Sequence, residues 1–322
     1  MENNNVSIRL INGLGDKLLD LIGFFVLCKY LNYKPNIIFC NNGNFAWGNN
    51  KYDIRLFNFN EITIADDNCY FYVNPGNPSS TLCPYNVYEF IKQFLDEITF
   101  ERISNDFVEY SKKIIQPSEI ILSKIPNNIE KAYGIHLRKS DKCNDMGDIR
   151  HVNKINEFEI ITNQLLDDVE NIIISEEEPT FLIVSEDNNW KLEIINIINN
   201  ISNNTNKQIK ILDIDYDTNN NYCNYDSVLD MFCLSKCKEI LQGVKYSTFS
   251  ILSSLLGNNK IRNYSKYTDS YEVCLIHIWS SVIEINNNKN FDIELHKKIA
   301  NGVIPIETNI NKIFISQFTC KD

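Results

Sequence analysis

The sequence predicts an α/β protein made of two successive strand–helix units, and three observations support this fold class. A short apolar run near the N-terminus leads through "GLG" into a long helix-like stretch. From Tyr133 onward, short apolar runs alternate with longer amphipathic stretches as far as Gly257. Between the two regions, Pro117, Pro126 and paired asparagines interrupt any long element. Alternating strands and helices are typical of parallel sheets covered by helices, so we expect a ligand cleft between two such units.

The first unit opens with the strand-like run "VSIRLIN" (6–12), followed at once by a glycine turn and a helix. Apolar residues in this helix recur three and four positions apart, which is the spacing of one helix face. The run "NIIFC" (36–40) completes a strand–helix–strand unit and predicts a parallel sheet. We expect short strands and loops over 41–85, and amphipathic helices over 87–98 and 100–115.

The second unit repeats the alternation and is followed by a segment with a weaker pattern. Predicted strands cover 133–137, 180–185, 208–214 and 238–243, and predicted helices cover 155–173, 189–201, 227–237 and 247–257. We therefore expect an N-terminal domain at 1–128, a C-terminal domain at 129–270, and a helical segment at 271–322 that packs back on the body.

Composition and charge limit the possible function classes. A hydrophobic fraction of 43% and a charged fraction of 23% are typical of a globular protein with a substantial core. The formal net charge of -11 argues against a general nucleic-acid-binding protein, which needs a basic surface. The N-terminus is polar and acidic, and the most apolar run contains Asp20 and Lys29. We therefore expect no signal peptide and no membrane span, and a cytoplasmic location.

The cysteines and histidines do not suggest a metal site. The ten cysteines are scattered without a CxxC pair, and the four histidines lie far apart in the sequence. Cys233 and Cys237 lie four residues apart in a predicted helix and could share one face. We expect buried free thiols in a reducing compartment and no bound metal.

Candidate functional residues lie at four predicted strand-to-helix junctions. At the first junction, "INGLGDK" places Gly13 and Gly15 before a helix, whose free N–H groups favour an anion. The third glycine of a dinucleotide-binding fingerprint is missing, because Asp16, Lys17 and Leu18 follow. This stretch is therefore either a ligand-binding loop or a tight turn between strand and helix.

At the second junction, "YGIHLRKSDK" gathers cations at the end of a predicted buried strand. His136 and Arg138 alternate along this strand, so their side chains share a face near its end. The guanidinium of Arg138 suits phosphate oxygens, and Lys139 adds a second positive charge. The alternative is an exposed strand end whose cations are only solvated.

The third and fourth junctions each allow a binding role or a capping role. In "FLIVSEDNNW", the Asp187 carboxylate could accept paired N–H donors of a ligand or could cap the next helix. In "YSTFSILSSLL", Ser247 and Thr248 could bind phosphate at a helix N-terminus or could act as plain N-caps.

These four stretches, in this order, resemble the fucosyltransferase superfamily that includes the α1,2-, α1,6- and protein O-fucosyltransferases. "GIHLRKSDK" is similar to the family's His-x-Arg-Arg-Gly/Thr-Asp motif, and "FLIVSEDNNW" to its "SDD..W" segment. "DMFCLSKCKEILQGVKYSTFS" resembles the family's "D...LS.C...I..STFS" block, and "NGLGDKLLDL" its Gly-rich N-terminal loop. The resemblance spans about residues 8–257.

The resemblance implies a GT-B-like fold, with two Rossmann-like domains facing a central cleft. It also implies GDP-fucose as donor, a glycan acceptor, inversion at the anomeric carbon, and no metal or other cofactor. Residues 1–128 would form the acceptor side and 129–270 the nucleotide-sugar side. Arg138 would be the essential arginine on the GDP phosphates, and Asp187 would match the carboxylate that reads guanine. By position, the donor-binding residues would be Gly13, Gly15, His136, Arg138, Lys139, Asp141, Asp187, Ser247, Thr248 and Ser250.

Catalysis of such a transfer requires stabilisation of the leaving diphosphate and deprotonation of the acceptor hydroxyl. Arg138 suits the first task, and Asp145 and Asp148, which follow the basic motif, are candidates for the second. Lys139 replaces the family's second arginine and Ser140 its Gly or Thr, so another nucleotide-linked sugar stays open as donor.

Three other functions are compatible with parts of the sequence. A metal-dependent GT-A glycosyltransferase could use the Asp-x-Asp triplet formed by Asp213 and Asp215. A non-catalytic protein of the same fold could bind a nucleotide sugar or a glycan. An unrelated Rossmann-type dehydrogenase is disfavoured by the incomplete glycine fingerprint.

Overall fold

The computed structural model describes residues 5–10, 13–39, 53–61, 63–64, 82–138, 154–217, 219–244 and 247–264. The candidate site residues Lys139, Asp141, Asp145 and Asp148 lie outside these ranges, as does the segment 271–322. In the described part of the chain, no helix is long and apolar enough to cross a membrane.

The first unit is built around one buried helix and a parallel sheet. Its elements are β1 (Asn5–Leu10), α1 (Leu14–Leu31), β2 (Lys34–Phe39), β3 (Phe57–Phe59), β4 (Thr63–Ile64), α2 (Pro84–Ile91), α3 (Phe100–Ile114), β5 (Ile115–Pro117) and α4 (Glu119–Leu122). Strands β1, β2 and β4 pair in parallel in that order, with Ile8 opposite Ile37. The predicted strand–helix–strand unit is therefore confirmed.

Two parts of the first unit differ from the sequence prediction. The helix predicted over 87–98 begins at Pro84 and ends at Ile91, so it starts earlier and is shorter than predicted. Proline suits the first helical position, and the apolar Phe94 and Leu95 that suggested a longer helix are exposed in turns. Strand β5 lies in a region predicted to interrupt regular structure, and it pairs antiparallel with β3.

The second unit is a five-stranded parallel sheet with helices on both faces. Its elements are β6 (Ala132–Leu137), α5 (Lys154–Ser175), β7 (Thr180–Ser185), α6 (Asn188–Thr205), β8 (Lys210–Leu212), α7 (Tyr225–Lys236), β9 (Glu239–Gly243), α8 (Thr248–Gly257) and β10 (Lys260–Asn263). The strand order is β10-β9-β6-β7-β8. This order is that of a Rossmann-type sheet: strands are added on one side from β6 to β8 and on the other side from β9 to β10, so the strand order reverses between β6 and β9.

Every predicted strand and helix of the second unit is present, and the structure adds one strand. The sequence did not predict β10, because "KIRN" is short and mostly polar. It pairs in parallel with β9 at the edge of the sheet. The predicted α/β fold class is confirmed by these two parallel sheets and their helices. The domain boundary near residue 128 stays a prediction.

Buried apolar side chains form two clusters, one on each face of the five-stranded sheet. One cluster lies under α5 and α6 and includes Ile135, Trp190 and Leu241. The other joins α7 and α8 to α1 and α3 of the first unit, and it includes Leu18 and Leu252. The two units therefore share a continuous apolar core, and α1 packs directly on α8.

Candidate functional site

The central strands β6 and β9 bring two of the candidate stretches together. They pair in parallel up to Leu137 opposite Gly243, and Arg138 follows β6 directly. The chain leaves β6 toward α5 and leaves β9 toward α8, on opposite faces of the sheet. Ligands of open α/β sheets bind outside the carboxyl ends of strands at such a reversal. The fold thus places Arg138 and the start of α8 at the expected ligand position.

The glycine turn of the first unit lies against the start of α8. A Cβ atom added at Gly15 would lie 2.5 Å from the carbonyl carbon of Thr248 and 2.5 Å from the amide nitrogen of Phe249. Only a glycine allows the two backbones to approach so closely. The N-termini of α1 and α8 are therefore neighbours, and each presents the positive end of a helix dipole.

The first turn of α8 is not capped by the residue that the sequence offered as a cap. Ser247 occupies the N-cap position but makes no side-chain capping bond. Its hydroxyl is buried, and it has no hydrogen-bond partner among the residues that the structure describes. Leaving a buried hydroxyl unpaired costs about 1–3 kcal/mol, so a ligand oxygen at this position would offset that cost. The plain N-cap alternative for Ser247 is not observed.

Arg138 is partly exposed and faces an acidic neighbour from the next strand. Its Nε lies 3.8 Å from Oε2 of Glu186, and the two side chains are 34% and 38% exposed. A pair of this length and exposure is worth about 1 kcal/mol or less. The interaction of the guanidinium with Glu186, which precedes Asp187 in "FLIVSEDNNW", is therefore weak.

His136 and Ser250 form a buried pair beneath the first turn of α8. The His136 Nδ1 lies 2.5 Å from the Ser250 Oγ, and both side chains are buried. Burial and the nearby Arg138 charge lower the pKa of His136 to about 3. The imidazole is therefore neutral at physiological pH. The sequence predicted donor contacts for both residues, and the structure joins them to each other.

Asp187 caps the helix that follows it. Its Oδ1 accepts hydrogen bonds from the amides of Asn189 and Trp190, at 3.0 Å and 3.1 Å. This is the capping alternative that the sequence left open, and it fixes the carboxylate beside the end of β7. The predicted contact with a guanine base is not tested by this geometry and stays a prediction.

The alternative Asp-x-Asp triplet lies at the far edge of the sheet. Asp213 and Asp215 follow β8, which β6 and β7 separate from β9. Asp215 is paired with Lys124 at 2.7 Å and is largely exposed. The triplet therefore does not share a site with Arg138 and α8. Among the described residues, no group of three or more His, Cys, Asp or Glu side chains is arranged to hold a metal ion.

Four of the five described cysteines are buried and all five are free thiols. The buried ones are Cys28, Cys83, Cys233 and Cys237, and Cys223 is exposed. Burial raises the pKa values of the Cys28, Cys233 and Cys237 thiols, which makes them poor nucleophiles. The four buried thiols agree with the expectation of buried free thiols, whereas the exposed Cys223 does not.

One buried polar residue near the site was missed by the sequence analysis. Gln242 of β9 is fully buried and lies opposite His136 in the sheet. Its Nε2 donates to the carbonyl of Val244, and its Oε1 has no partner among the described residues. A glutamine inside the apolar strand "EILQG" was the available signal.

Comparison with known proteins identifies similar structures but no matching sequence family. No protein-family model and no curated protein matches the chain. The structure is similar to a NodZ alpha-1,6-fucosyltransferase soaked with GDP-fucose, at 9% identity and a TM-score of 0.45, over 78% of this chain and 92% of that one. An Arabidopsis thaliana FUT1 mutant in complex with GDP is similar at 11% identity and a TM-score of 0.45, over 80% and 69% of the two chains.

A fucosyltransferase NodZ from Bradyrhizobium is also similar, at 10% identity and a TM-score of 0.42, over 80% of this chain and 94% of that one. Similarity at this level leaves the function to the residues of the site.

Proposed function

We propose that this chain is an inverting, metal-independent glycosyltransferase that transfers fucose from GDP-fucose to a glycan hydroxyl. In this proposal the second unit binds the nucleotide sugar, and the first unit contributes its glycine turn and the acceptor side. No cofactor takes part, and the partners are the donor and the glycan acceptor.

The observation that supports the proposal is that three groups carrying positive charge or partial charge lie at the carboxyl ends of β6 and β9, where the strand order reverses. Arg138 follows β6, and the N-termini of α1 and α8 touch at Gly15 and Thr248. The Ser247 hydroxyl is buried at the same helix end without a partner among the described residues. Two helix N-termini and a guanidinium together favour a ligand with more than one negative charge, such as a diphosphate.

The chemistry of sugar transfer explains why fixed positive charge is useful here. Negative charge grows on the diphosphate as the bond from the sugar to its leaving oxygen breaks. Arg138 and the α8 amides would stabilise that charge without reorganising. Lys139, by its place in the motif, would add a further cation. Asp145 and Asp148 are the proposed bases that take the proton of the acceptor hydroxyl.

The identity of the donor rests on the motif resemblance rather than on the geometry. A diphosphate site accepts many nucleotide sugars, while "GIHLRKSDK", "FLIVSEDNNW" and "STFS" resemble the motifs of fucosyltransferases. Asp187 is the proposed residue that recognises guanine, and it follows the neighbouring strand β7. A different nucleotide-linked sugar is the alternative donor, because Lys139 departs from the family motif.

A donor panel tests the proposal. The chain would be incubated in EDTA with GDP-fucose, GDP-mannose or a UDP-sugar, with and without mixed glycan acceptors, and nucleoside diphosphate release would be measured. We expect release of GDP from GDP-fucose that increases with a suitable acceptor and falls at least about hundredfold in Arg138→Ala. NMR of the product should show inversion at the anomeric carbon. Release only from another donor would contradict the fucosyl assignment.

A non-catalytic binding protein of the same fold is the second candidate. It would bind GDP and depend on Arg138, but it would release no GDP from any donor, even slowly. Equal affinity for GDP and GDP-fucose combined with no turnover over days would favour this function over the enzyme.

A further inference from the structure

A small group of polar side chains lies buried between the five-stranded sheet and the start of α8. His136 and Gln242 are neighbours on β6 and β9, and both lie on the face that packs against α7 and α8. Ser250, in the first turn of α8, is fully buried above them. The rest of this face is apolar, with Ile240 and Val184 among its buried residues. Buried polar groups in such a place are costly unless they are paired.

The imidazole of His136 makes two contacts with the first turn of α8. Its Nδ1 lies 2.5 Å from the Ser250 Oγ, and its ring centroid lies 5.1 Å from that of Phe249. One contact is polar and directional, and the other fixes the ring from the side. Together they join the end of β6 to the residues that immediately follow Ser247 and Thr248.

We propose that His136 is a positioning residue that holds the first turn of α8 through Ser250, so that the α8 amides and the Ser247 hydroxyl face the ligand. The consequence for ligand binding rests on the proposed function. In this role neither His136 nor Ser250 touches the donor. His136 and Ser250, the second serine of "STFS", then contact each other inside the protein and support the residues that contact the diphosphate.

The protonation state of His136 agrees with this role. A neutral imidazole has one donor nitrogen and one acceptor nitrogen, so it forms a directional hydrogen bond with a hydroxyl in either tautomer. Because burial keeps the ring neutral, it adds no positive charge that would compete with Arg138 for the anion. It is also unsuited to exchanging a proton with a substrate at neutral pH.

Gln242 supports the same helix start from the neighbouring strand. Its amide donates to the carbonyl of Val244, at 3.2 Å, and thereby shapes the chain just after β9. Val244 precedes Ser247 by three residues in the sequence. The first turn of α8 is thus held by the bond to His136, while Gln242 fixes the chain at the end of β9.

Two substitutions of His136 separate the positioning role from simple filling of the core. In His136→Asn the amide occupies the place of the ring Nδ1 and can keep the bond to Ser250. In His136→Gln the amide occupies the place of Nε2 and loses it. Both remove the ring, so both should lower thermal stability, and His136→Gln should lower it more because it also loses the bond. Ser250→Ala removes the same bond from the helix side without placing a larger group in the core.

The first measurement is hydrogen exchange of the segment 247–257 in the ligand-free protein. We expect exchange about three- to tenfold faster in His136→Gln and Ser250→Ala than in the wild type, and near-wild-type exchange in His136→Asn. The double variant His136→Gln/Ser250→Ala should exchange no faster than the faster single variant, because both substitutions remove the same hydrogen bond. Equal exchange in the Asn and Gln variants would overturn the positioning role.

The second measurement is GDP affinity of the same variants, with Arg138→Ala as reference. We expect affinity to fall about tenfold in His136→Gln and Ser250→Ala, and to be largely kept in His136→Asn. If the exchange pattern appears but GDP affinity is the same in all three, His136 does not position α8 for the ligand, and the proposal is overturned. If the wild type binds no GDP, the proposed function fails, while the exchange pattern still decides whether His136 holds α8.

Discussion

The backbone of Gly15 in α1 lies directly against the backbone of Thr248 in α8, without room for a side chain between them. This contact joins the two units at the point where both helices begin. It explains why a glycine is needed at a position inside a helix, where glycine is normally unfavourable by about 1 kcal/mol. The close approach brings two helix N-termini together beside Arg138.

Substitution of Gly15 should therefore destabilise the protein, although alanine is the better helix former. In Gly15→Ala the new methyl group would meet backbone atoms of Thr248 and Phe249 at 2.5 Å, and these cannot move aside like a flexible side chain. We expect a loss of about 1–3 kcal/mol in the free energy of unfolding, measured by urea denaturation.

Gly13→Ala is the matched control for this prediction. Gly13 has a φ of -64°, which any residue adopts, and among the described residues a Cβ added there would meet only the Asp16 carboxylate, at 3.7 Å. Glycine is preferred to alanine at the N-cap that Gly13 occupies, so the loss of unfolding free energy should be below about 1 kcal/mol and smaller than in Gly15→Ala. Equal stability of the two alanine variants would contradict the close packing of α1 on α8.

Removal of the Arg138 guanidinium should abolish tight nucleotide binding with little effect on folding. The pair with Glu186 is long and exposed, so Arg138→Ala should cost less than about 1 kcal/mol of stability. Loss of charge-assisted hydrogen bonds to a diphosphate should weaken GDP about 10- to 100-fold by calorimetry. Arg138→Lys should fall in between, because it keeps the charge but loses the planar fork.

Arg55→Ala provides the control for a general charge effect. Arg55 is exposed, pairs with Asp53 and lies over the Tyr222 ring, outside the proposed site. Its removal changes the net charge by the same amount as removal of Arg138 and should leave GDP affinity unchanged. A similar loss of affinity in both variants would mean that the effect of Arg138→Ala is not local.

Two substitutions of Asp187 should separate helix capping from base recognition. Asn is as good an N-cap as Asp, so Asp187→Asn should keep stability, whereas Asp187→Ala should lose about 1 kcal/mol of it. If the carboxylate accepts the N–H groups of guanine, both variants should bind GDP more weakly while their affinity for ADP stays the same. Unchanged preference for GDP over ADP in Asp187→Asn would leave capping as the role of this residue.

Asp230 should make the stability of the protein depend on pH between about 4 and 7. Burial in α7 raises the pKa of its carboxyl to about 7, although the Tyr216 hydroxyl donates to it at 2.6 Å and Lys191 is nearby. The native state then binds a proton more tightly than the unfolded state, so the contribution of Asp230 to the free energy of unfolding is greatest below pH 4. The free energy of unfolding decreases, by on the order of 4 kcal/mol, as the pH rises to 7.

The variant Asp230→Asn should remove this decrease, since its amide keeps an oxygen for the Tyr216 hydroxyl. Urea denaturation at several pH values measures the difference between wild type and variant. We expect the variant to gain stability over the wild type as the pH rises from 4 to 7. A constant difference across that range would show that Asp230 does not titrate there.

The alternation of apolar and polar runs predicted the sheets and most helices, because each long helix and buried strand has its own periodic pattern. The short strands β5 and β10 could not be predicted in this way. Their residues, such as Pro117 and Arg262, are mostly unsuited to strands, and only pairing with distant segments makes them extended. The helix ending at Ile91 was predicted too long for a different reason, because the exposed Phe94 continues the apolar pattern of the helix beyond its end.

The sequence named candidate site residues but could not tell which of them contact one another. The motif stretches listed Arg138, His136, Ser247 and Ser250 together as candidates. The structure shows that His136 and Ser250 are buried and contact each other, whereas Arg138 is partly exposed. Nothing in the sequence revealed that Gly15 faces α8, because this contact joins residues more than two hundred positions apart.

The most direct test of the proposed function is calorimetric titration of the wild-type chain with GDP and with UDP in EDTA. We expect GDP to bind without metal and clearly more tightly than UDP, because in the proposed function Arg138 and the two helix N-termini bind the diphosphate and Asp187 recognises the guanine. Binding of UDP in preference to GDP, or binding of either nucleotide only after Mn²⁺ is added, would contradict it.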